Sequence, residues 1–214
     1  MNAEEHIRKG TTTLGMVCKG GIVLAADKRA TAAGRIVLEK KMEKVMKITD
    51  NIAVTIAGSV SEVQLLVKLM RAELNLKKIR TGKDASAREA ASLLGIMVYN
   101  NLRKFSPILA VTGFLLGGVD KEGFHLHNIG MDGSVIETED YTSDGSGFMM
   151  AYGVLDTLYR KELPVAEGVK LAVKAINAAM QRDTATGEGI DVLTITKDGI
   201  VKAFTKQLDT NITA

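Results

Sequence analysis

Strand-like segments of this sequence come in hairpins, whereas its helix-like segments come in adjacent pairs. The β-branched run TTTLGMVC is joined to IVLAAD by Lys19-Gly20-Gly21, a stretch that favours a tight turn. VMKIT and NIAVTIAG are joined in the same way by Thr49-Asp50-Asn51. Later strands are predicted in ILAVTGFLLGGVD and GFHLHNIG, in VIETEDY, and in IDVLTIT and IVKAFTK. Asp132-Gly133 and Asp144-Gly145 are interpreted as turn pairs.

The first pair of helices is predicted between the second and third groups of strands. It begins at Ser61, which is placed to cap a helix whose apolar face carries Val63, Leu66, Leu69 and Met70. The second member covers about residues 84–104 and ends before Ser106-Pro107, since the residue preceding proline avoids the α region.

A second pair of helices is predicted at about residues 147–160 and 165–182. Hairpins combined with helix pairs favour antiparallel sheets covered by helices over a parallel sheet with alternating strands and helices. The predicted fold is therefore α+β, a four-layer αββα sandwich of two antiparallel sheets flanked by helix pairs.

Composition narrows the class of protein. With 214 residues, 46% of them hydrophobic, the chain is long enough for one well-buried core, and we expect one domain. Its 28 basic and 25 acidic residues are interleaved, which argues against nucleic-acid binding. The first ten residues, MNAEEHIRKG, are charged, and no apolar run reaches membrane-spanning length, so we expect a cytoplasmic protein without a membrane segment. The single cysteine, Cys18, fits a reducing compartment and is interpreted as a core thiol.

Thr11 lies where the polar N-terminal tail meets the first strand. If the bond from Gly10 to Thr11 were cut, one residue would carry both a hydroxyl and a free α-amine. An α-amine has a pKa of about 7.7 to 8.0, so near neutrality it can accept the hydroxyl proton. Residues 1–10 are therefore interpreted as a propeptide that masks the amine, and residues 11–214 as the single catalytic domain.

Several blocks of the sequence resemble one family. TTTLGMVCKGGIVLAADKRAT, KVMKI, VTIAGSV, SDGSGFMMAYGVLD and QRDTATGEGIDV are similar, in order and at nearly the right spacing, to blocks of archaeal and bacterial-type 20S proteasome β subunits. The resemblance extends through nearly the whole chain. It implies the N-terminal nucleophile (Ntn) hydrolase fold and a threonine endopeptidase that cleaves unfolded proteins after autocatalytic removal of residues 1–10.

The resemblance also implies roles for individual residues. Thr11 corresponds to the nucleophile, Lys44 to the catalytic lysine and Asp27 to the acid that orients it. Gly58 matches the oxyanion-hole donor. Around the threonine amine, the matching positions are Ser146, Asp183 and Thr186.

Three departures from the family pattern stand out. The stretch TAAGRIVLEKKMEK is about one residue longer than usual, which leaves Lys41 and Lys40 as alternatives to Lys44. Thr186 stands where serine is usual, so the hydroxyl is kept and a methyl group is added. VSEV follows IAG where the family more often has a Gly-Asp pair, next to Gly58 and the specificity pocket.

Substrate selection is implied to be apolar. By resemblance, the substrate-binding residues are Ala30, Thr31, Met42, Met46 and Ile56. A pocket with two methionines suits broad selectivity for apolar residues before the cut bond, although the apolar members also fit ordinary core positions. No metal is predicted, because His125 and His127 share a strand face without a third ligand. No cofactor is predicted either, since the Asp-Gly pairs lie in neither a full calcium loop nor a phosphate-binding glycine motif.

The implied partners are those of a barrel-shaped peptidase. The β subunits would form a seven-membered ring, stacked on a second such ring and flanked by rings of proteasome α subunits. An ATPase unfoldase would feed unfolded protein substrates through the α ring. Two alternatives remain: a noncatalytic structural β subunit of the same barrel, and an Ntn amidohydrolase that acts on a small amide.

Overall fold

Two five-stranded antiparallel sheets form the centre of the molecule. The computed structural model describes residues 10–32, 36–106 and 111–209, and all structural statements refer to these. The first sheet contains β1 (Thr12–Cys18), β2 (Gly21–Asp27), β10 (Tyr141–Gly145), β11 (Gly189–Thr196) and β12 (Gly199–Gln207), in the order β10-β1-β2-β11-β12. The second contains β5 (Val45–Lys47), β6 (Ile52–Gly58), β7 (Thr112–Asp120), β8 (Gly123–Ile129) and β9 (Val135–Thr138), in that order.

Four helices belong to the described residues, and they come in two pairs. These are α1 (Val60–Thr81) with α2 (Ala87–Leu102), and α3 (Phe148–Leu158) with α4 (Val165–Met180). A capping box begins α2: Ser86 Oγ accepts from Glu89 N–H, and the Glu89 carboxylate accepts from Ser86 N–H. Within the described part of the chain, no helix combines the length and apolar character required to cross a membrane.

Three apolar clusters show how the layers stack. One joins α1 and α2 to one face of the second sheet, for example Met70 and Leu94 to Phe114. Another joins α3 and α4 to the first sheet. The third lies between the sheets, where Leu24 and Ile195 belong to the same cluster as Leu126. The layers are therefore helix, sheet, sheet, helix, which confirms the predicted αββα sandwich.

Local details correct some of the predictions. The helix α1 has Ser59, not Ser61, at its N-cap, and Ser59 makes no side-chain capping bond. Leu69 was expected on the buried face but is 44% exposed, since the buried face runs through Val63, Leu66, Val67 and Met70. Asp144-Gly145 is not a turn, because both residues lie in β10.

Two further segments differ from the expectations. The helix α2 ends at Leu102, before the predicted boundary at Ser106-Pro107, and residues 107–110, which include the start of the predicted strand ILAVTGFLLGGVD, lie outside the described residues. After β2, the chain forms a short two-stranded sheet of β3 (Ala30–Ala32) and β4 (Ile36–Glu39), which was not predicted from the sequence. It lies near the site described next.

Candidate active site

Thr11 lies directly before β1 and is only 4% exposed. Its Oγ1 accepts a hydrogen bond from Lys44 Nζ at 2.9 Å and donates to the carbonyl oxygen of Gly10. Its backbone N–H, which is an amide while Gly10 is attached, donates to Ser146 Oγ at 3.3 Å. The hydroxyl, the peptide bond before it and a lysine are thus in direct contact.

Lys44 and Asp27 form a buried ion pair beside this hydroxyl. Lys44 Nζ donates to Asp27 Oδ1 at 2.8 Å, and the side chains are 2% and 0% exposed. The same ammonium reaches Gly10 O at 3.3 Å, so all three of its protons have acceptors. Lys40 and Lys41 are exposed, and among the three candidate lysines only Lys44 contacts Thr11.

Asp27 is held by backbone donors from three parts of the chain. Thr12 N–H donates to Oδ1 at 3.0 Å, while the N–H groups of Arg29 and Gly187 donate to Oδ2 at 3.0 and 2.9 Å. A carboxylate with four donors is an acceptor only, which matches its ionised form. Asp27 therefore fixes the position of the lysine and balances its charge.

Burial pulls the two pKa values of this pair towards neutrality. Desolvation raises the pKa of the Asp27 carboxyl, and the charge of Lys44 opposes that shift. Desolvation likewise lowers the pKa of the Lys44 ammonium, with Asp27 opposing. A lysine with a lowered pKa can release a proton, and then accept one from a neighbouring hydroxyl, at a lower pH than an exposed lysine can.

A chain of hydroxyls runs along the other side of Thr11. Ser146 Oγ donates to Asp183 Oδ2 at 2.5 Å, and Thr186 Oγ1 donates to the same oxygen at 2.5 Å. Thr186 Oγ1 also lies 2.6 Å from Thr12 Oγ1. Asp183 thus orients Ser146, which in turn faces the nitrogen of Thr11. The structure brings together Thr11, Asp27, Lys44, Ser146, Asp183 and Thr186.

Gly10 fits against Thr31 so closely that no side chain has room. A Cβ built on Gly10 would lie 2.0 Å from Thr31 Oγ1 and 3.2 Å from the Ala185 Cβ. The Oγ1 of Thr31 is buried and has no hydrogen-bond partner among the described residues. The residue before the predicted cleavage bond is thus packed against a residue predicted to bind substrate.

Gly58 lies at the carboxyl end of β6, opposite Thr112. Its φ is +112°, and a Cβ there would lie 2.2 Å from the carbonyl oxygen of Val111, so glycine is required at this position. Its role as an oxyanion donor remains a prediction. The predicted pocket residues are distributed across core and surface: Ile56 is buried in the cluster beneath α1, Met42 and Met46 pack against that cluster, and Ala30 is 8% exposed.

Three residues next to the site were not predicted from the sequence: Arg29, Gly187 and Glu188. Arg29 Nη2 pairs with Glu188 Oε1 at 3.1 Å, and Arg29 Nη1 donates to Thr184 O at 2.8 Å. Both charges resemble ordinary surface charges in the sequence. The only signal was their proximity to Asp27 and Asp183 in the chain.

The remaining candidates lie away from Thr11. Cys18 is buried, and burial raises the pKa of its thiol to about 12, which suits a core residue and not a nucleophile. His125 and His127 lie on β8, where His125 Nδ1 contacts Glu137 Oε1 at 2.7 Å.

Together the fold and the site define an α+β sandwich in which a threonine hydroxyl, a lysine and an aspartate converge at the start of the first strand. A family model described as "Proteasome subunit" matches residues 7–195. A "Proteasome subunit beta" of Ferroglobus placidus is 42% identical over 205 residues, covering 96% of this chain and 95% of the relative. A second, from Methanocaldococcus fervens, is 44% identical over 195 residues, covering 91% and 85%. "Proteasome subunit beta 2" of Pyrococcus furiosus is 46% identical over 191 residues, covering 89% of each chain.

The chain therefore belongs to the proteasome subunit family, and within it to the β type. The resemblance inferred from the sequence blocks is confirmed. The family assignment supports a proteasome peptidase, and leaves open whether this particular chain is catalytic.

Proposed function

We propose that this chain is a catalytic β subunit of a 20S proteasome, a threonine endopeptidase whose nucleophile is Thr11 Oγ1. The observation that carries the proposal is the contact of Lys44 Nζ with Thr11 Oγ1 at 2.9 Å, with Asp27 at 2.8 Å behind it. A subunit with only structural duties has no need of a buried lysine that faces a threonine hydroxyl. The burial of both charges is costly, and such costs are typical of functional sites.

In the precursor, we propose that Thr11 removes its own propeptide, residues 1–10. Lys44, once deprotonated, accepts the Thr11 hydroxyl proton, and the oxygen attacks the carbonyl carbon of Gly10. The carbon–nitrogen bond then breaks, and the nitrogen takes up a proton to become the amine of Thr11. This leaves an ester on Thr11 Oγ1, which water hydrolyses to give a free hydroxyl and a free amine on one residue.

In the mature subunit, the same groups act on a peptide substrate. The free amine of Thr11, placed next to Ser146 Oγ, accepts the hydroxyl proton as the oxygen attacks the substrate carbonyl. Gly58 N–H stabilises the oxyanion, and the amine returns the proton to the leaving nitrogen. Water then hydrolyses the acyl-enzyme. Asp183 and Thr186 hold Ser146 in place and do not react themselves.

The family assignment also supports a proposal for the substrate class and the assembly. We propose that the side chain before the cut bond is apolar and contacts Ala30, Met42, Met46 and Ile56, while the backbone pairs with Thr31. The subunit would work in a seven-membered β ring between rings of α subunits, in the cytoplasm, on unfolded chains delivered by an ATPase unfoldase. Enclosure of the active sites inside a chamber would explain how a broadly selective peptidase spares folded proteins, which do not enter it.

Hydrolysis by the assembled particle tests this proposal. The chain is co-expressed with an α subunit, and the assembled particle is given a fluorogenic apolar peptide, a reduced and unfolded protein, and a small amide. We expect cleavage of the first two substrates by wild type, none by Thr11→Ala, and partial activity in Thr11→Ser. An inactive wild-type particle that retains residues 1–10 would favour the noncatalytic subunit, and turnover of the small amide alone would favour the amidohydrolase.

A further inference from the structure

Arg29 ties together both ends of the loop that runs from Asp183 to Glu188, which we call the 183–188 loop. Its Nη1 donates to Thr184 O at 2.8 Å near the start of the loop, and its Nη2 pairs with Glu188 Oε1 at 3.1 Å at the end. The Glu188 side chain is only 4% exposed, whereas that of Arg29 is 23% exposed. A two-point link by one planar group holds the loop more rigidly than separate contacts would.

Hydrogen bonds from this loop reach the reacting residue by two routes. Gly187 N–H donates to Asp27 Oδ2 at 2.9 Å, and Asp27 in turn holds Lys44. At the other end of the loop, Asp183 accepts from Ser146, which faces the nitrogen of Thr11. A displacement of the loop would therefore move both the lysine side and the amine side of the site.

The guanidinium also lies directly against the loop backbone. A Cβ built on Gly187 would lie 2.5 Å from Arg29 Cζ and from Nη2, so the guanidinium occupies the space that a side chain would need. The backbone N–H of Arg29 donates to Asp27 Oδ2, the same oxygen that Gly187 contacts. Arg29 thus fixes Asp27 with its own backbone and through the glycine that its side chain covers.

The pair is poorly arranged for stability alone. Arg29 Nε and Glu188 Oε2 are buried without hydrogen-bond partners among the described residues, and Glu188 has a φ of +65°, which is uncommon for a residue other than glycine. Partly satisfied buried ion pairs contribute little to folding. Strain and unpaired polar atoms next to a reactive centre are better explained by a positioning role.

We propose that Arg29 and Glu188 are positioning residues that hold the 183–188 loop, and through it Asp27 and Ser146, in register with Thr11. This inference rests on the proposed peptidase function. It adds a charge effect to the geometry, since the charged groups that face Lys44 are Asp27, Asp183 and Arg29. Asp27 and Asp183 raise the pKa of Lys44 against the larger effect of burial, whereas Arg29 lowers it, and Glu188 partly neutralises Arg29.

The two members of the pair should consequently shift the pH dependence of the reaction in opposite directions. Loss of the Arg29 charge favours protonated Lys44, so the acidic limb of kcat should move to higher pH. Loss of the Glu188 charge leaves Arg29 uncompensated, so the limb should move to lower pH. In the mature subunit the Thr11 amine lies beside Ser146 in the same site and faces the same charges, so kcat should respond in the same directions.

The test measures kcat, KM and their pH dependence in assembled particles of Arg29→Met and Glu188→Gln. Arg88→Met serves as the matched control, because Arg88 Nη2 pairs with Glu137 Oε2 at a similar 3.2 Å, away from the site. We expect kcat of Arg29→Met to fall on the order of tenfold with KM nearly unchanged, because a small misplacement of the reacting groups slows the reaction without weakening substrate binding. The acidic limb should move by about half a pH unit, upwards in Arg29→Met and downwards in Glu188→Gln. Arg88→Met should match wild type.

Several results would overturn the inference. A wild-type kcat and pH profile in both variants would do so, and so would shifts of the limb in the same direction. If Arg29→Met did not assemble, Glu188→Gln would decide, and a wild-type limb in that variant would make the pair purely structural. An inactive wild-type particle that keeps residues 1–10 is a different outcome, because it rejects the peptidase function itself.

Discussion

Two polar clusters among the described residues differ in what their charged groups face, and in the first of them a lysine contacts a threonine hydroxyl. The first surrounds Thr11 and includes Asp27 and Lys44. The second, which we call the histidine cluster, consists of Asp120, His125, His127 and Glu137 with Arg88 at its edge, between β7, β8, β9 and α2. Both clusters combine cationic or titratable groups with carboxylates, yet they differ in how completely their polar atoms are paired.

The pairing of Lys44 and Asp27 beside Thr11 is complete and directional. All three protons of Lys44 have acceptors, and Asp27 has four donors. In the histidine cluster, His125 Nε2 lies 3.2 Å from Asp120 Oδ1, whereas the buried His127 Nδ1 has no hydrogen-bond partner among the described residues. Buried charge by itself is therefore a weak indication of a site, whereas convergence of satisfied donors on one hydroxyl is a strong one.

Replacement of Lys44 should produce the largest effect. Lys44→Ala removes the proposed proton acceptor for self-cleavage and the contact with Thr11 Oγ1, and it leaves Asp27 as a buried charge without its cationic partner. We expect hydrolysis to fall by about 10³-fold, within the range for loss of a general acid or base. Intact mass and peptide hydrolysis of assembled particles measure both steps. The exposed Lys41→Ala should behave as wild type, and equal losses in the two variants would contradict the assignment.

Placing a methyl group on Gly10 should slow propeptide removal. The new Cβ would meet Thr31 Oγ1 at 2.0 Å, so Gly10→Ala must displace the Thr31 side chain or the scissile bond. We expect self-cleavage to slow on the order of 100-fold, the cost of a misplaced reacting group. Quenched samples analysed by mass spectrometry give the rate. The double variant Gly10→Ala, Thr31→Ala should recover part of the self-cleavage rate. If the effects of the two single substitutions on this rate simply add in the double variant, the contact is unimportant.

Loss of the Thr186 hydroxyl should lower kcat moderately, whereas loss of the Thr186 methyl group should not lower it. Thr186→Val keeps the shape but removes a donor to Asp183 Oδ2 and a partner of Thr12 Oγ1. Unpaired buried partners cost about 1 to 3 kcal/mol, so kcat should fall by about tenfold. Thr186→Ser, which keeps the hydroxyl, should retain wild-type kcat. A fall in the serine variant equal to that in the valine variant would indicate that packing matters instead.

The smallest effect is expected in the histidine cluster, as a pH dependence of stability. Burial lowers the pKa of His127, with Glu137 opposing, so the folded protein binds this proton less readily than the unfolded chain. The neutral form thus stabilises the fold fully above the ordinary histidine pKa, and this contribution is lost as pH falls below it. Urea unfolding should show that the free energy of unfolding falls less between pH 7.5 and pH 5 in His127→Gln than in wild type. Parallel losses would exclude His127 as the cause.

The sequence was a good guide where the controlling forces are local. Periodicity located every described helix and most strands of the two large sheets, because burial on one face repeats at fixed spacing. It did not locate β10, since the predicted strand VIETEDY ends at Tyr141 and Asp144-Gly145 was interpreted as a turn. It misplaced the start of α1, since Ser59 and Ser61 are both plausible caps and backbone geometry decides between them. It missed the β3–β4 hairpin, whose strands are short and whose second strand is exposed.

The site was less accessible to sequence reasoning, for physical reasons. Spacing left Lys40, Lys41 and Lys44 as alternatives, and only burial in the folded chain distinguishes them. The Arg29–Glu188 pair joins residues 159 positions apart, so no local pattern could connect them. Resemblance to a family supplied the remaining roles, while their geometry depends on the close approach of β1, β2 and the 183–188 loop.

The most direct test of the central claim is the intact mass of this chain in assembled particles, compared with the Thr11→Ala variant. We expect the wild-type chain to lose residues 1–10 and to begin at Thr11, while the variant keeps them because it has no hydroxyl to attack Gly10. Retention of residues 1–10 in a fully assembled wild-type particle, or their equal loss from the Thr11→Ala variant, would contradict self-processing by Thr11.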